Sequence, residues 1–168
     1  MKLLPLDNPE LIHLAAGWMS MKENYQWLDF GNGRQVLTPE WLKIATQRDR
    51  EVVRVFTPDD DTTPIGIVGL TEVDRVFGTA RIWVVAGDKS FGARGHATRA
   101  ASKLLTHGFT DLGLCAINTW IVDHNPSLRI ARRLKFTLIG RQRQCHAIDG
   151  RAYDRLWFDL LASEHVEI

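Results

Sequence analysis

Cysteine is almost missing from this chain: Cys115 and Cys145 are its only two. Two thiols so far apart in sequence are too few to indicate a disulfide framework or a metal site, so both read as plain core or strand residues. A charge of one sign is missing too, because 21 Lys and Arg stand against 20 Asp and Glu for a net charge of +1. That balance provides no field for bulk nucleic-acid binding. No apolar run approaches the length of a membrane span or a signal peptide, and the expectation is a cytoplasmic protein without a membrane partner. The chain has no HExxH, no GxSxG, no phosphate loop ending in Lys-Ser/Thr and no basic stripe, which disfavours a metalloprotease, a serine hydrolase and a nucleic-acid module. Asp59-Asp60-Asp61 has no His or second carboxylate cluster at ligand spacing, so it reads as a solvated hairpin tip and no metal is expected. What remains is 168 residues with 45% apolar and 24% charged side chains, enough for one globular domain over 1–168 with a sizeable core.

The chain is organised around the stretch from Thr79 to Leu112. Thr79 to Ala86 is nearly continuous in apolar residues and bounded by Gly78 and Gly87, which predicts a buried strand. After Gly95, the residues Ala97, Ala101, Leu104, Leu105, Gly108 and Leu112 recur three and four apart, which predicts a helix with one buried stripe. Strand, glycine turn and helix together form an anion-binding device. The first N–H groups of a helix lack partners and carry the positive end of its dipole, and Gly92 and Gly95 leave room for an anion to approach them. Taken alone, Gly-x-x-Gly-x-Ala is also an ordinary tight turn.

Elsewhere the elements follow from caps and turns. Met1 to Leu6 predicts a first strand, and Asn8-Pro9-Glu10 starts a helix to about Gly17. Trp18 to Gly33 shows no period and reads as irregular helix and loop. Thr38-Pro39-Glu40 starts a second helix to about Arg48. Glu51 to Phe56 and Ile65 to Val73 are strands, with Gly66 and Gly69 weakening the second or marking a bulge. Cys115 to Val122 is a further strand, Pro126 to Leu134 a short helix, and Phe136 to His146 with Ala152 to Leu161 a hairpin around Asp149-Gly150. The sum is an α/β (α+β) fold, a mixed central sheet of about six to seven strands with helices on both faces.

Three segments carry a family resemblance. Arg94-Gly95-His96-Ala97-Thr98-Arg99-Ala100 resembles the R/K-G-x-A-T-E-A signature of the GNAT acyl-CoA N-acyltransferases, in the branch of ribosomal-protein N-terminal and spermidine acetyltransferases. Asn125-Pro126-Ser127 followed by Arg129 to Phe136 is similar to that superfamily's N-x-x-S/A segment and its L-x-x-x-L-G-F run. Asp149-Gly150-Arg151-Ala152-Tyr153-Asp154 resembles its N-G-x-Y-x-D turn. The resemblance implies a central strand that parts from its neighbour and acetyl-CoA as co-substrate, with no metal. Backbone N–H groups of Val84, Val85 and Ala86 would meet the pantetheine arm and acyl oxygen, and those of Arg94, Gly95, His96, Ala97 and Thr98 the pyrophosphate. Asn125, or His124 under the alternative alignment, would contact the cofactor, and Arg132 in the basic cluster with Arg129, Arg133 and Lys135 would meet its nucleotide end. Tyr25 and Trp27 lie in the region that walls the acceptor site.

Acyl transfer to an amine needs positioning, a base for the ammonium, a donor to the developing oxyanion and an acid for the leaving thiolate. Where many family members have a glutamate and a tyrosine, this chain has Arg81 and Ala131. Glu72 is the candidate base, with a surface carboxylate paired to Arg81 as the competing reading. Ser127 is the candidate acid, with a helix-capping hydroxyl as the competing reading. Lys135 stands where relatives have glycine. Two functions follow: direct transfer of an acetyl group to a primary amine, on a protein N-terminus or a small molecule, or a CoA-binding sensor of the same fold that has lost its chemistry. A monomer or a homodimer fits either.

Overall fold

The computed structural model describes residues 1–29, 38–59, 62–92 and 94–168. Its elements are β1 (Leu3–Pro5), α1 (Pro9–Ser20), α2 (Lys22–Tyr25), α3 (Pro39–Thr46), β2 (Val52–Phe56), β3 (Gly66–Asp74), β4 (Thr79–Ala86), α4 (His96–Thr110), β5 (Ala116–Val122), α5 (Leu128–Arg133), β6 (Thr137–Ile148) and β7 (Arg151–Leu161), with a 3-10 turn at Lys89–Phe91. The caps read from the sequence form: Asn8 Oδ1 accepts from Glu10 N–H at 2.8 Å and Thr38 Oγ1 from Trp41 N–H at 3.2 Å. Each satisfies a first-turn donor and starts its helix.

Among the described residues, seven strands form one sheet in the order β1-β2-β3-β4-β5-β7-β6, antiparallel throughout except for the parallel β4–β5 pair. Side chains alternate across β4. Ala80 and Ile82 join Ala100, Ala101, Leu104 and Leu105 of α4 on one face, while Val85 joins Ile12, Ala15 and Met19 of α1 and Leu42 of α3 on the other. Helices therefore cover both faces, as the sequence predicts. A third cluster seats α5 through Ala131 against Ile121 of β5 and Phe158 of β7.

Several expectations change. The irregularity in β3 falls between Thr71 and Asp74, where Glu72 takes a φ of 54°, and not at Gly66 or Gly69. Those two glycines give room to rings: a side chain at Gly69 would lie 2.5 Å from the Trp83 ring, and one at Gly66 would lie 2.3 Å from the Phe56 ring. The short helix starts at Leu128 instead of Pro126, because Asn125 Oδ1 accepts from the Ser127 N–H at 2.8 Å and holds that segment as a turn. Cys115 is exposed just ahead of β5 instead of lying in the core, while Cys145 is half-buried within β6. Asp59, expected at a solvated tip, pairs with the Met1 amino group at 3.3 Å and with Arg99 at 2.7 Å; Asp60 and Asp61 lie outside the described residues. Lys135 adopts a φ of 62°, so the turn that relatives make with glycine is kept.

Candidate active site

The sheet opens at its centre. β4 and β5 pair only over Thr79–Arg81 and Ala116–Asn118, and beyond Arg81 the strands part. Parity decides which backbone groups are left over. The Gly78 carbonyl accepts from Cys115 N–H at 2.7 Å on the β5 side, and Gly87 N–H donates to the Ile65 carbonyl at 3.0 Å on the β3 side. Alternation then turns the even residues Ile82, Val84 and Ala86 toward the gap and Val85 toward β3. Val84 and Ala86 thus present N–H groups to the opening, whereas that of Val85, expected to do the same, belongs to the β3 ladder opposite Ile67. Lys89 Nζ donates to the Ala86 carbonyl at 2.6 Å and to Asn24 Oδ1 at 2.6 Å, closing the far end of the gap.

A cavity of about 390 Å³ passes through this gap from one face of the sheet to the other. On the α4–α5 side its wall includes Asn125, Ser127, Ile130 and Ala131; on the α1–α3 side it includes Trp27, Asp29, Trp41, Glu51 and Trp83. Of the residues read from the sequence, Glu72, Ser127, Val84, Asn125 and Trp27 line it, while Tyr25 does not. His124 turns aside, with its ring against Trp27 and Tyr153 and Nδ1 beside Asp123 at 3.1 Å. Ser127 Oγ–H donates to Asn125 Oδ1 at 2.8 Å, so the two form one polar unit on that wall.

Glu72 is held. Arg81 reaches it through Nη1 at 3.1 Å and Nη2 at 3.0 Å, donates to Asn118 Oδ1 at 3.3 Å and lies over the Trp157 ring at 5.1 Å. Missed from the sequence is Glu51, immediately before β2. Its half-buried carboxyl lines the cavity, has no ion pair or hydrogen bond to any described residue, and is pushed up to about 7 by desolvation, with Glu72 adding to the rise and Arg48 and Arg50 opposing it. Its burial in the cavity wall marks it, and no motif in the sequence carries that information.

At the other end, Gly95 takes a φ of 78° as the N-cap of α4 and offers no capping side chain, which leaves the first-turn N–H groups uncapped. A side chain at Gly95 would sit 3.7 Å from Arg133 Nη1, so Arg133 is the cation beside the loop; Arg132 and Arg133 are both exposed. Arg94 lies over the Phe91 ring at 5.6 Å. The His96 side chain is buried against Phe91 with Nδ1 facing Arg99 Nη2 at 2.9 Å, and burial, followed by the Arg99 charge, lowers its pKa; Thr98 is buried as well. For both residues only the backbone faces the loop.

This architecture agrees with the comparisons. The family described as acetyltransferase (GNAT) domain matches residues 2–137. The chain belongs to the GNAT family. The family match and the N-acetyltransferase relatives make it an acetyl-CoA-dependent acetyltransferase. The chain is 33% identical over 125 residues to the uncharacterized N-acetyltransferase p20 of Bacillus licheniformis, covering 74% of this chain and 68% of that one. Its fold matches a mutant form of the spermidine N-acetyltransferase SpeG of Vibrio cholerae with a TM-score of 0.83 at 19% identity, over 97% of this chain and 96% of the other. The Vibrio cholerae spermidine N-acetyltransferase in complex with CoA and spermine matches with a TM-score of 0.76 at 19% identity, over 97% and 96%.

In this GNAT acetyltransferase the wall on the α1–α3 side is fastened by Arg155. Arg155 pairs with Asp29 at 3.3 Å, donates from Nη2 to His146 Nδ1 at 3.0 Å and stacks on Trp120 at 3.7 Å from the ring centroid; His146 Nε2–H then donates to the Gln26 carbonyl at 2.6 Å. Burial, followed by the Arg155 charge among the lowering effects, holds His146 below the usual histidine range and so neutral, as this double role requires. Arg155→Ala is expected to cost about 1–3 kcal/mol of stability and to raise KM for the acceptor more than KM for acetyl-CoA, measured by melting and steady-state kinetics.

Proposed function

We propose that residues 1–168 act as one acetyltransferase domain that moves an acetyl group from bound acetyl-CoA directly to a primary amine, with no acyl-enzyme intermediate. The observation that carries this reading is the cavity through the β4–β5 gap, which joins a thioester-side wall to an acceptor-side wall across a strand edge with free N–H donors. The residues fit the co-substrate. The N–H groups of Val84 and Ala86 suit an extended amide-bearing arm and a carbonyl oxygen gaining charge. The uncapped first turn from Gly95 to Thr98, with Arg94 and Arg133 beside it, suits a pyrophosphate. Bound acetyl-CoA supplies the thioester.

The rest is the work of this chain. Ser127 is the proton donor to the departing sulfur: its hydrogen bond to Asn125 Oδ1 positions the hydroxyl, which turns its proton to the thiolate and is reprotonated by the proton the amine nitrogen loses on forming the amide. Glu72 serves the acceptor side as a charge fixed on Arg81, within the acceptor half of the cavity. The acceptor is a primary amine of a protein N-terminus or a small molecule, and the enzyme works as a monomer or homodimer in the cytoplasm.

At a hundredfold excess over Kd, acetyl-CoA is expected to stabilise the folded chain by about 2.7 kcal/mol and raise its melting midpoint by roughly 5–10 °C, with NADH giving no rise. Thiol release on adding amines then measures turnover. Binding without release for any amine would favour the non-catalytic CoA-binding reading.

A further inference from the structure

The acceptor half of the cavity combines a small charge with a large aromatic surface. Three carboxylates line it, but Asp29 is paired by Arg155 and Glu72 by Arg81, which leaves Glu51 as the one without an ion pair to a described residue. Arg48 and Arg81 also line the cavity, so among the described residues its acidic excess is a single charge, too small to match a multiply charged amine. Trp27, Trp41, Trp83 and Trp120 supply the walls. Aromatic faces attract a single ammonium and bury an apolar body.

We infer that the acceptor is a monoamine with an apolar, aryl-sized body, and that Glu51 anchors its ammonium and takes its proton. The inference rests on the acetyltransferase reading above. Glu51 removes one proton from the ammonium, and the neutral nitrogen then forms the C–N bond as the C–S bond to coenzyme A breaks. The remaining extra proton on nitrogen passes to the sulfur, and Glu51 returns its own proton to water. Spermine, named in the complex of a fold neighbour, carries several charges that this lining does not match. The charged groups that face Glu51 are Arg48 and Arg50 in its own segment and Glu72 on β3, with Arg81 of β4 behind it. Desolvation outweighs the two arginines, so the carboxylate form fills in as pH rises through about 7.

The test uses the full chain and four probes: 2-phenylethylamine, tryptamine, spermidine and a short peptide with a free N-terminus. Calorimetry with acetyl-CoA comes first, and absence of binding would overturn the acetyltransferase reading itself. With binding established, kcat/KM for 2-phenylethylamine or tryptamine is expected to exceed that for spermidine and the peptide by at least about tenfold. A preference for spermidine or the peptide, or aryl amines no faster than buffer, would overturn the monoamine inference alone. Glu51→Gln is expected to lower kcat/KM about a hundredfold, to remove its rise around pH 7 and to leave acetyl-CoA affinity unchanged, with Glu51→Asp recovering part of the rate. A retained pH step in E51Q would remove Glu51 as the proton acceptor.

Melting gives a readout independent of turnover. The folded pKa is raised, so this group's contribution to stability is full below its usual 4.5 and lost as pH rises through about 7. E51Q escapes that loss and is expected to melt above the parent at higher pH. An equal or lower midpoint there would count against the desolvated carboxylate on which the inference stands.

Discussion

Gly95→Glu is expected to lower coenzyme A affinity at least about a hundredfold, roughly 2.7 kcal/mol, and to erase the rise in melting midpoint that acetyl-CoA produces. Three effects act in the same direction. Gly95 holds a φ of 78°, where a side chain costs about 1–2 kcal/mol, so the turn that aims the α4 N–H groups is strained. The new carboxylate grows toward Arg133, whose Nη1 would be 3.7 Å from the added Cβ, and competes for the cation offered to the pyrophosphate. It also places negative charge at the positive end of the helix, where the ligand's phosphates belong. Gly95→Ala carries the backbone strain without the charge, so its loss is expected to be intermediate. Calorimetric titration of both variants separates the terms, and an unchanged affinity in Gly95→Glu would show that this turn holds no phosphate.

Gly69→Val is expected to damage the opposite end of the cavity. In β3, Gly69 lies across from Trp83, and the ring occupies the space where a side chain would stand: the built Cβ falls 2.5 Å from Cζ2 and 2.6 Å from Cε2. Adding the valine branches must push the indole into the cavity or the strands apart, and overpacking of this kind costs about 1–3 kcal/mol. For a chain of this length that lowers the melting midpoint by roughly 2–12 °C. Kinetically, kcat/KM for the acceptor is expected to fall about a hundredfold, while coenzyme A affinity stays within about twofold, because Trp83 faces the α1–α3 side and the glycine turn of α4 lies beyond the other face. Melting by circular dichroism and separate titrations of the two substrates check both parts; an equal loss of coenzyme A binding would mean that the two halves of the cavity are not independent.

The sequence by itself determined the main elements and the uncapped glycine turn at one end of the candidate site. The β4 span of Thr79–Ala86 and the glycine-capped start of α4 follow from local chemistry: continuous apolar residues, a cap that has no side chain, and a three-four spacing of small residues. The same holds for the Asn8 and Thr38 caps and for the turn at Asp149 and Gly150, whose φ values of 50° and 76° are those of a tight hairpin. These features are carried by residues within four or five positions of one another, so a linear reading reaches them.

The other parts of the candidate site were decided only by tertiary structure. Whether Val84, Val85 or Ala86 turns its N–H to the gap depends on the parity set by the Gly78–Cys115 and Ile65–Gly87 hydrogen bonds, which join different strands. Which arginine stands by the glycine turn depends on how α5 packs on α4, and it brings Arg133 rather than Arg132 to Gly95. Glu72, a base by position in the sequence, is claimed by Arg81 across the β3–β4 register, whereas Glu51, which no motif marks, is left in a desolvated pocket among tryptophans from α3, β4, β5 and the segment after α2. A carboxylate's pairing and desolvation are sums over neighbours distant in the chain, and only the folded arrangement assembles those neighbours.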